Sequence, residues 1–298
     1  MTEHNKNTPT ASPIDTPNAA AKTAVPATPR RKTKFWILSD LHQEFSSCTW
    51  KPLPADVPDH DALILAGDTH SPTADAITYA ERLTSKPVFM VMGNHEFYGT
   101  VMKDELARAR KCAAASPNVT LLENDVVIFN DIRILGCTLW TDFELFGHHA
   151  FRRAIRDAEK GMNDYRRIKR IGATSGRTRR LRPQDTLDAH RASRRFLETE
   201  LAKSEGCNNQ ARRVVITHHA PHPNGLNPNS KTDPLSVAYA SDLTAIIETH
   251  KPDLWVFGHT HTACDFQIGK TRLISNAHGY VGHEPRHPNY DQQLVIEV

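Results

Sequence analysis

Val88-Phe89-Met90-Val91-Met92-Gly93-Asn94-His95-Glu96 sets five apolar residues directly against a glycine and three polar side chains. So short a run with β-branched and aromatic content reads as a buried strand. Asn, His and Glu crowded against its end are costly to hold there unless each finds a partner. The same arrangement recurs on both sides of it. Phe35 to Leu38 runs into Ser39-Asp40-Leu41-His42, and Ala62 to Ala66 into Gly67-Asp68. Val214 to Thr217 runs into His218-His219, and Leu254 to Phe257 into Gly258-His259-Thr260-His261. Ligands of open α/β sheets gather beyond the carboxyl ends of the strands, so five such loops converge although they span more than 220 residues.

Alone, an Asp-x-His pair is a helix cap beside a surface histidine, and Gly-Asp is an everyday turn. The ordered set of five, each at a strand end, is what points to chemistry. Alternate residues of an extended loop face one way, so His259 and His261 can serve neighbouring sites. Carboxylates, imidazoles and one amide oxygen form a shell for borderline or hard divalent cations such as manganese, iron or zinc. Two cations about 3.5 to 4 Å apart provide the charge neutralisation and the nucleophile that phosphate-ester hydrolysis needs. Asp68, on the central loop, is the natural carboxylate to bridge them.

The chain has 298 residues, 39% hydrophobic and 24% charged, enough for one sizeable core with a tail. Residues 1–33, rich in Thr, Pro and Ala, have no hydrophobic period and are expected to be a disordered tail. Arg30-Arg31-Lys32 in it reads as a solvated charge run, with contact to an anionic partner as the alternative. No stretch approaches a membrane span or the apolar core of a secretory signal, and the expectation is a cytoplasmic protein without membrane contact. Five scattered cysteines without a CxxC pair suggest neither a thiolate zinc site nor a disulfide framework, and read as reduced structural thiols. Helices are expected at Pro72 to Ser85, Val101 to Ala115 and Ser236 to Glu248. Further strands are expected at Val126 to Phe129, Ile132 to Cys137, Cys264 to Ile268, Arg272 to Ser275 and Gln293 to Val298.

Read in order, Asp40-x-His42, Gly67-Asp68, Gly93-Asn94-His95-Glu96, His218 and Gly258-His259-x-His261 resemble the blocks of the calcineurin-like metallophosphoesterase superfamily, over residues 34–298. The resemblance implies a four-layer αββα sandwich of two mixed sheets. It implies that Asp40, His42 and His261 hold a first cation, that Asn94, His218 and His259 hold a second, and that Asp68 bridges. His95 resembles the histidine that contacts the substrate phosphate and protonates the leaving group while a metal-held hydroxide attacks phosphorus. Gly67-Asp68 is not extended as in the family's Ser/Thr protein phosphatases, which weakens that assignment. A phosphodiesterase is slightly favoured over a phosphomonoesterase, acting on a small or polymeric ester, with nucleic acid only as a substrate. The alternative class is a binding module that keeps the fold without catalysis. Thr138 to Phe146, Met162 to Ile168, Leu181 to Leu197 and Ser275 to Tyr280 are similar to a bacterial subgroup of predicted phosphohydrolases.

Residues 141–201 are expected to form a polar, mainly helical insertion. Residues 152–182 hold twelve Lys or Arg against three acids, while the body after residue 34 is nearly neutral. A solvated helical face is one reading. The other is a cap that draws anionic substrate to the site. Among 17 histidines, His60, His70, His148, His149, His283 and His287 are expected at the surface, and His190 on an exposed helix face. His219 is expected as a substrate contact or a structural residue, and Asn163 and Tyr165 line the site if the insertion folds over it.

Overall fold

The computed structural model describes residues 1–2, 31–45, 56–172, 176–203 and 212–298. By its internal contacts the chain divides into Met1–Arg31 and Lys32–Val298, and all the helices and strands named here belong to the second unit. The tail expected over residues 1–33 falls mostly outside the described residues, as do Cys48 and Cys207.

In chain order the strands are β1 (Lys34–Leu38), β2 (Ala62–Ala66), β3 (Val88–Val91), β4 (Val119–Leu121), β5 (Asp125–Phe129), β6 (Ile132–Cys137), β7 (Lys169–Ile171) and β8 (Thr178–Arg180). Then come β9 (Arg212–Thr217), β10 (Leu254–Phe257), β11 (Cys264–Ile268), β12 (Thr271–Ser275) and β13 (Val295–Glu297). The helices are α1 (Thr73–Leu83), α2 (Met102–Ala115), α3 (Phe151–Gly161), α4 (Asp164–Arg167), α5 (Pro183–Ala202) and α6 (Thr244–His250). One sheet runs β13-β1-β2-β3-β4 and the other β11-β12-β10-β9-β6-β5. Within them β1 to β4 are mutually parallel, as are β6, β9, β10 and β12.

Side-chain alternation builds the layers. In β1, Phe35 and Ile37 face the second sheet, packing with Ile64, Val91, Ile134, Val214, Ile216 and Val256. Trp36 and Leu38 point the other way, toward Ala76, Ile77 and Ala80 of α1. In the second sheet Val215, Trp255 and Phe257 turn outward against Leu197 and Leu201 of α5 and Ile246 and Ile247 of α6. The central strands bury both faces, which is why they read as unbroken apolar runs. With each such side chain contributing roughly 1.5 to 3 kcal/mol, this double-sided packing outweighs anything the surface ion pairs supply. The result is the four-layer αββα sandwich.

Three expectations change. The helix expected over Ser236 to Glu248 is a 3-10 turn at Pro234–Ala238 and then α6. Between them Ser241 N donates to Ala220 O and Leu243 N to Pro221 O, so this backbone is committed to another loop. The insertion is not wholly helical, since β7 and β8 pair as an antiparallel hairpin between α4 and α5. His60 and His190 are buried rather than at the surface. The His60 ring bonds Pro58 O (2.7 Å) and Thr84 Oγ1 (3.0 Å) and stands 5.3 Å from the ring of Trp36. His190 points inward from α5, its Nδ1 3.3 Å from Trp140 O. Three-residue β4 had no expectation at all. No helix among the described residues is long and apolar enough to cross a membrane.

Candidate metal centre

All the polar loops emerge at one end of the sandwich, where β1, β2 and β3 of the first sheet face β9 and β10 of the second. Backbone conformation there is unusual. Asp40 (φ 54°), His42 (47°), Asp68 (50°), His259 (68°) and His261 (49°) all lie in the left-handed region. Such residues cost roughly 1 to 3 kcal/mol each and persist only where surrounding contacts impose them. The imposing bonds are visible. Asp40 N donates to Gly67 O (3.0 Å), His42 N to Asp68 O (2.9 Å) and Gly258 N to His218 O (2.9 Å). Asp40 in turn accepts His259 N on both carboxylate oxygens (2.9 and 3.1 Å). Gly93 is a glycine because a Cβ there would collide with the Asp68 carboxylate.

Glu96 holds the middle of the site. It is buried, and its carboxylate accepts the backbone N–H groups of Gly93 (2.7 Å), Thr69 (2.7 Å) and Asp68 (3.1 Å). Asp68 in turn accepts His95 N on Oδ1 (2.9 Å), which leaves Oδ2 free to face the imidazoles.

The donors expected as ligands fall in two groups. Asp40, His42 and His261 bring ligand atoms within 4.8 Å of one another, and so do Asp68, His218 and His259, while His42, Glu44 and His95 form a further such set that shares His42 with the first. His42 Nε2 and His261 Nε2 are 3.0 Å apart, and His218 Nε2 and His259 Nδ1 are 3.1 Å apart. Asp68 Oδ2 addresses both groups, 3.8 Å from His42 Nε2 and 3.5 Å from His218 Nε2. Asn94 joins the second, with Oδ1 3.1 Å from His218 Nε2. Its orientation is fixed because Nδ2 donates to Asp164 Oδ1 (2.8 Å) and to the Tyr98 hydroxyl (3.1 Å). Imidazole nitrogens aimed at one another, with a buried carboxylate between the pairs, have too few protons to satisfy them. Divalent metal held between them would satisfy these nitrogens and the carboxylate together, so the donor set fits divalent metal.

Charge is already unbalanced without it. Burial opposes ionisation of Asp68, yet the nearby His218 and His95 hold its carboxyl well below the usual range. Burial likewise disfavours charge on His218, but Asp68 pushes it up to about 10. Burial first, then the Asp68 charge, raises Glu96 to about 8. His259 is held well below its ordinary value by burial and by His219 and His218, which keeps it a neutral ligand.

His95 stands beside the cluster. Its Nδ1 is 2.8 Å from Glu44 Oε1, its Nε2 is 2.8 Å from the Tyr280 hydroxyl, and Asp68 Oδ2 is 4.0 Å away. Burial works against its charged form, but Asp68 and Glu44 outweigh it and raise its pKa. His219 lies behind His259, its ring 4.2 Å from that of His259 and 5.0 Å from Trp140, and it does not reach the cavity wall. The cavity over the cluster has a volume of about 390 Å³ and is walled by Tyr98, Met162, Asn163, Leu235, Tyr239 and Tyr280, among others. Of the two insertion residues considered as lining, Asn163 does so. Tyr165 is buried instead, with its hydroxyl 3.1 Å from Thr186 Oγ1.

A family model described as calcineurin-like phosphoesterase matches residues 33–263. The chain belongs to that family. As a calcineurin-like phosphoesterase it is a metal-dependent phosphoric ester hydrolase, and its His/Asp clusters are able to hold divalent metal. The phosphoesterase is similar to uncharacterized protein L509 of Acanthamoeba polyphaga mimivirus, at 26% identity over 88% of this chain and 95% of that one. Its fold is similar to that of the phosphopantetheinyl hydrolase of Mycobacterium tuberculosis, with a TM-score of 0.66 at 17% identity, covering 90% of this chain and 96% of the other.

Several residues of the phosphoesterase's site carry no motif in the sequence. Glu44, Tyr98, Asp164, Tyr239, Tyr280 and Glu284 all touch the ligand-competent side chains. Glu44 had a signal, as the next alternate residue after Asp40 and His42 on one loop. Glu284, 2.5 Å from His261 Nδ1, sits in a loop with no pattern that would single it out.

Proposed function

We propose that this phosphoesterase is a binuclear phosphodiesterase, with one cation held by Asp40, His42 and His261, the other by Asn94, His218 and His259, and Asp68 shared. The observation that carries it is the Asp68 carboxylate, whose Oδ2 faces an imidazole of each group at 3.8 and 3.5 Å. When bound, such ions supply positive charge to the non-bridging oxygens and activate water at neutral pH. Everything else falls to the chain. Glu96 fixes the Gly67 and Gly93 loops, and with them Asp68 and Asn94. Glu44 accepts the Nδ1 proton of His95, which turns Nε2 toward the cavity beside the Tyr280 hydroxyl. A proton held at Nε2 is placed to reach the leaving oxygen.

A diester suits the cavity better than a monoester for two reasons. Among the described residues no Lys or Arg lines it, so it has little to offer the second charge of a monoester beyond the cations. Its volume of about 390 Å³ also leaves room for substituents on both sides of phosphorus. The test compares kcat/KM for bis-p-nitrophenyl phosphate and p-nitrophenyl phosphate in manganese-supplemented protein, with metal content measured alongside. At least a tenfold preference for the diester and about two metals per chain are expected. A preference for the monoester would overturn the diesterase reading, and one metal per chain the binuclear one.

A further inference from the structure

Helix α3 divides its faces sharply. Ala154 and Ala158 are buried, with Phe151 and Ile155 half-buried beside them, while Arg152, Arg153, Arg156 and Lys160 are exposed, with one exposed acid, Glu159, at the edge of their face. At 100° per residue those four cations fall within one sector of roughly 100°. Arg153 is compensated by Asp157 (3.3 Å), but among the described residues Arg152, Arg156 and Lys160 have no ion pair. Like charges spaced four apart destabilise a helix by roughly 0.2 to 0.5 kcal/mol per pair. A merely solvated face would be better served by alternating signs, and Glu159 and Asp157 offset only part of the four positive charges.

The stripe leads somewhere. After Lys160 the chain turns, and Gly161, Met162 and Asn163 form part of the wall of the catalytic cavity. Gly161 is wedged against Leu235, which lies on the same wall. Beside this turn a groove of about 490 Å³ is lined by four cations, Lys160, Arg166, Arg180 and Arg182, against one acid, Glu159, with Tyr165 and Leu181. Arg166 ties the two together, with Nη1 3.2 Å from the side-chain oxygen of Asn163. At the far end of α3 the exposed His148 ring stacks on Phe151, with centroids 5.8 Å apart.

We propose that α3 and the adjoining groove form a track that binds a single-stranded polynucleotide and leads it to the catalytic cavity. Residues four apart on a helix are about 6 Å apart along the axis, comparable to the separation of successive phosphates on an extended strand. Unpaired cations follow the backbone of such a strand, and the stacked His148–Phe151 pair offers a platform for a base, which an acidic peptide or polyphosphate would not use. The track explains why the basic residues avoid the cavity itself. They bind phosphates flanking the one that reacts. The proposal names a substrate class for the phosphodiesterase reading and rests on it for the reaction, though not for binding.

The experiment measures fluorescence anisotropy of a labelled, phosphorothioate-linked oligothymidylate of about fifteen nucleotides with the manganese-supplemented full chain, titrated at several salt concentrations. Wild type should bind with a steep salt dependence. The triple variant R152Q/R156Q/K160Q should bind at least about tenfold more weakly at low salt, with its log-affinity versus log-salt slope reduced by about 2, since each cation on a single strand contributes roughly 0.7. His148→Ala should weaken binding about fivefold with the slope unchanged. Turnover of bis-p-nitrophenyl phosphate should be the same in all three proteins, which separates this proposal from the catalytic one: loss of that activity in wild type would remove the phosphodiesterase reading and leave the binding result standing. Equal binding by wild type and the triple variant would overturn the track. So would competition by polyglutamate as strong as that by unlabelled oligonucleotide, or capture by phosphatidylserine vesicles without oligonucleotide binding. Should the triple variant fold poorly, Arg156→Gln alone must still lower the slope.

Discussion

The loops at the strand ends and the insertion between β6 and β9 solve opposite problems. In the loops most polar side chains are buried and many are bonded to one another or to backbone: Glu96 takes three backbone N–H groups, Asp40 binds His259 N, and Asp164 fixes Asn94. In the insertion the charges are mostly exposed, and the chief anchor is one carboxylate, Asp185. That carboxylate accepts from Arg170 (3.0 Å), Arg179 (2.6 and 2.8 Å) and Arg182 N (2.9 Å), which pins the β7–β8 hairpin to the first turn of α5. A dense site tolerates no loss of a member, because each leaves a buried group unsatisfied. A sparse one should yield by degrees.

The largest effect is expected at Asp68. Asp68→Asn removes the charge that faces both imidazole groups, and metal analysis should find less than one ion per chain with hydrolysis lowered at least about a thousandfold, from the loss of both charge and metal. Retention of two metals with near-normal turnover would break the contrast at its strongest point. His95→Ala should keep its metal, since it removes none of the donors assigned to the two cations, and a loss of metal would show instead that the His42–Glu44–His95 set holds an ion. Its kcat should fall about 100-fold or more, as general acids typically contribute. That loss should shrink for p-nitrophenol leaving groups against alkyl alcohols, and an equal loss for both would remove the proton-donor role.

The smallest effect belongs to the insertion. Asp185→Ala should lower stability by about 1 kcal/mol, read as a shift in the thermal midpoint, with activity on small substrates unchanged. The pH dependence has a definite sign. Burial opposes ionisation of Asp185, but the hydrogen bonds from Arg179 and Arg182 N prevail and lower its pKa from the ordinary 3.8. A carboxylate with a depressed folded value stabilises the protein above its unfolded value and loses that contribution as pH falls below about 3.8. Proteolysis within the hairpin should therefore be slower in wild type than in the variant above about pH 3.8, with the difference shrinking as pH falls further, and equal rates at neutral pH would show that Asp185 is not the anchor.

The same contrast explains what could be read from the chain alone. Asp40, His42, Asp68, Asn94, His95, His218, His259 and His261 were visible because each follows an apolar run whose length and alternation announce a strand, and strand ends converge. Glu44, Tyr280 and Glu284 come from loops whose paths depend on packing, so only Glu44 left a trace in the spacing. The insertion's charge was plain from composition, but not its arrangement. That Arg170 and Arg179 would turn toward Asp185 follows from a hairpin of three-residue strands, too short to carry a periodic signal. The helix expected over Ser236 to Glu248 failed for a related reason, since Ala220 and Pro221, far away in sequence, take its hydrogen bonds.

The donors are also divided between the two sheets. Asp40, His42, Asp68 and Asn94 follow strands of the first, whereas His218, His259 and His261 follow strands of the second. Neither half of the sandwich carries a complete set for either cation. On the binuclear reading proposed above, each ion would thus be a fastener across the seam, and separating the sheets would require its release. Mass action then couples metal concentration to the cohesion of the whole fold, by RT ln(1 + [metal]/Kd) for each site. At a hundredfold excess over Kd that is about 2.7 kcal/mol per ion, comparable to a fully buried leucine at the seam itself.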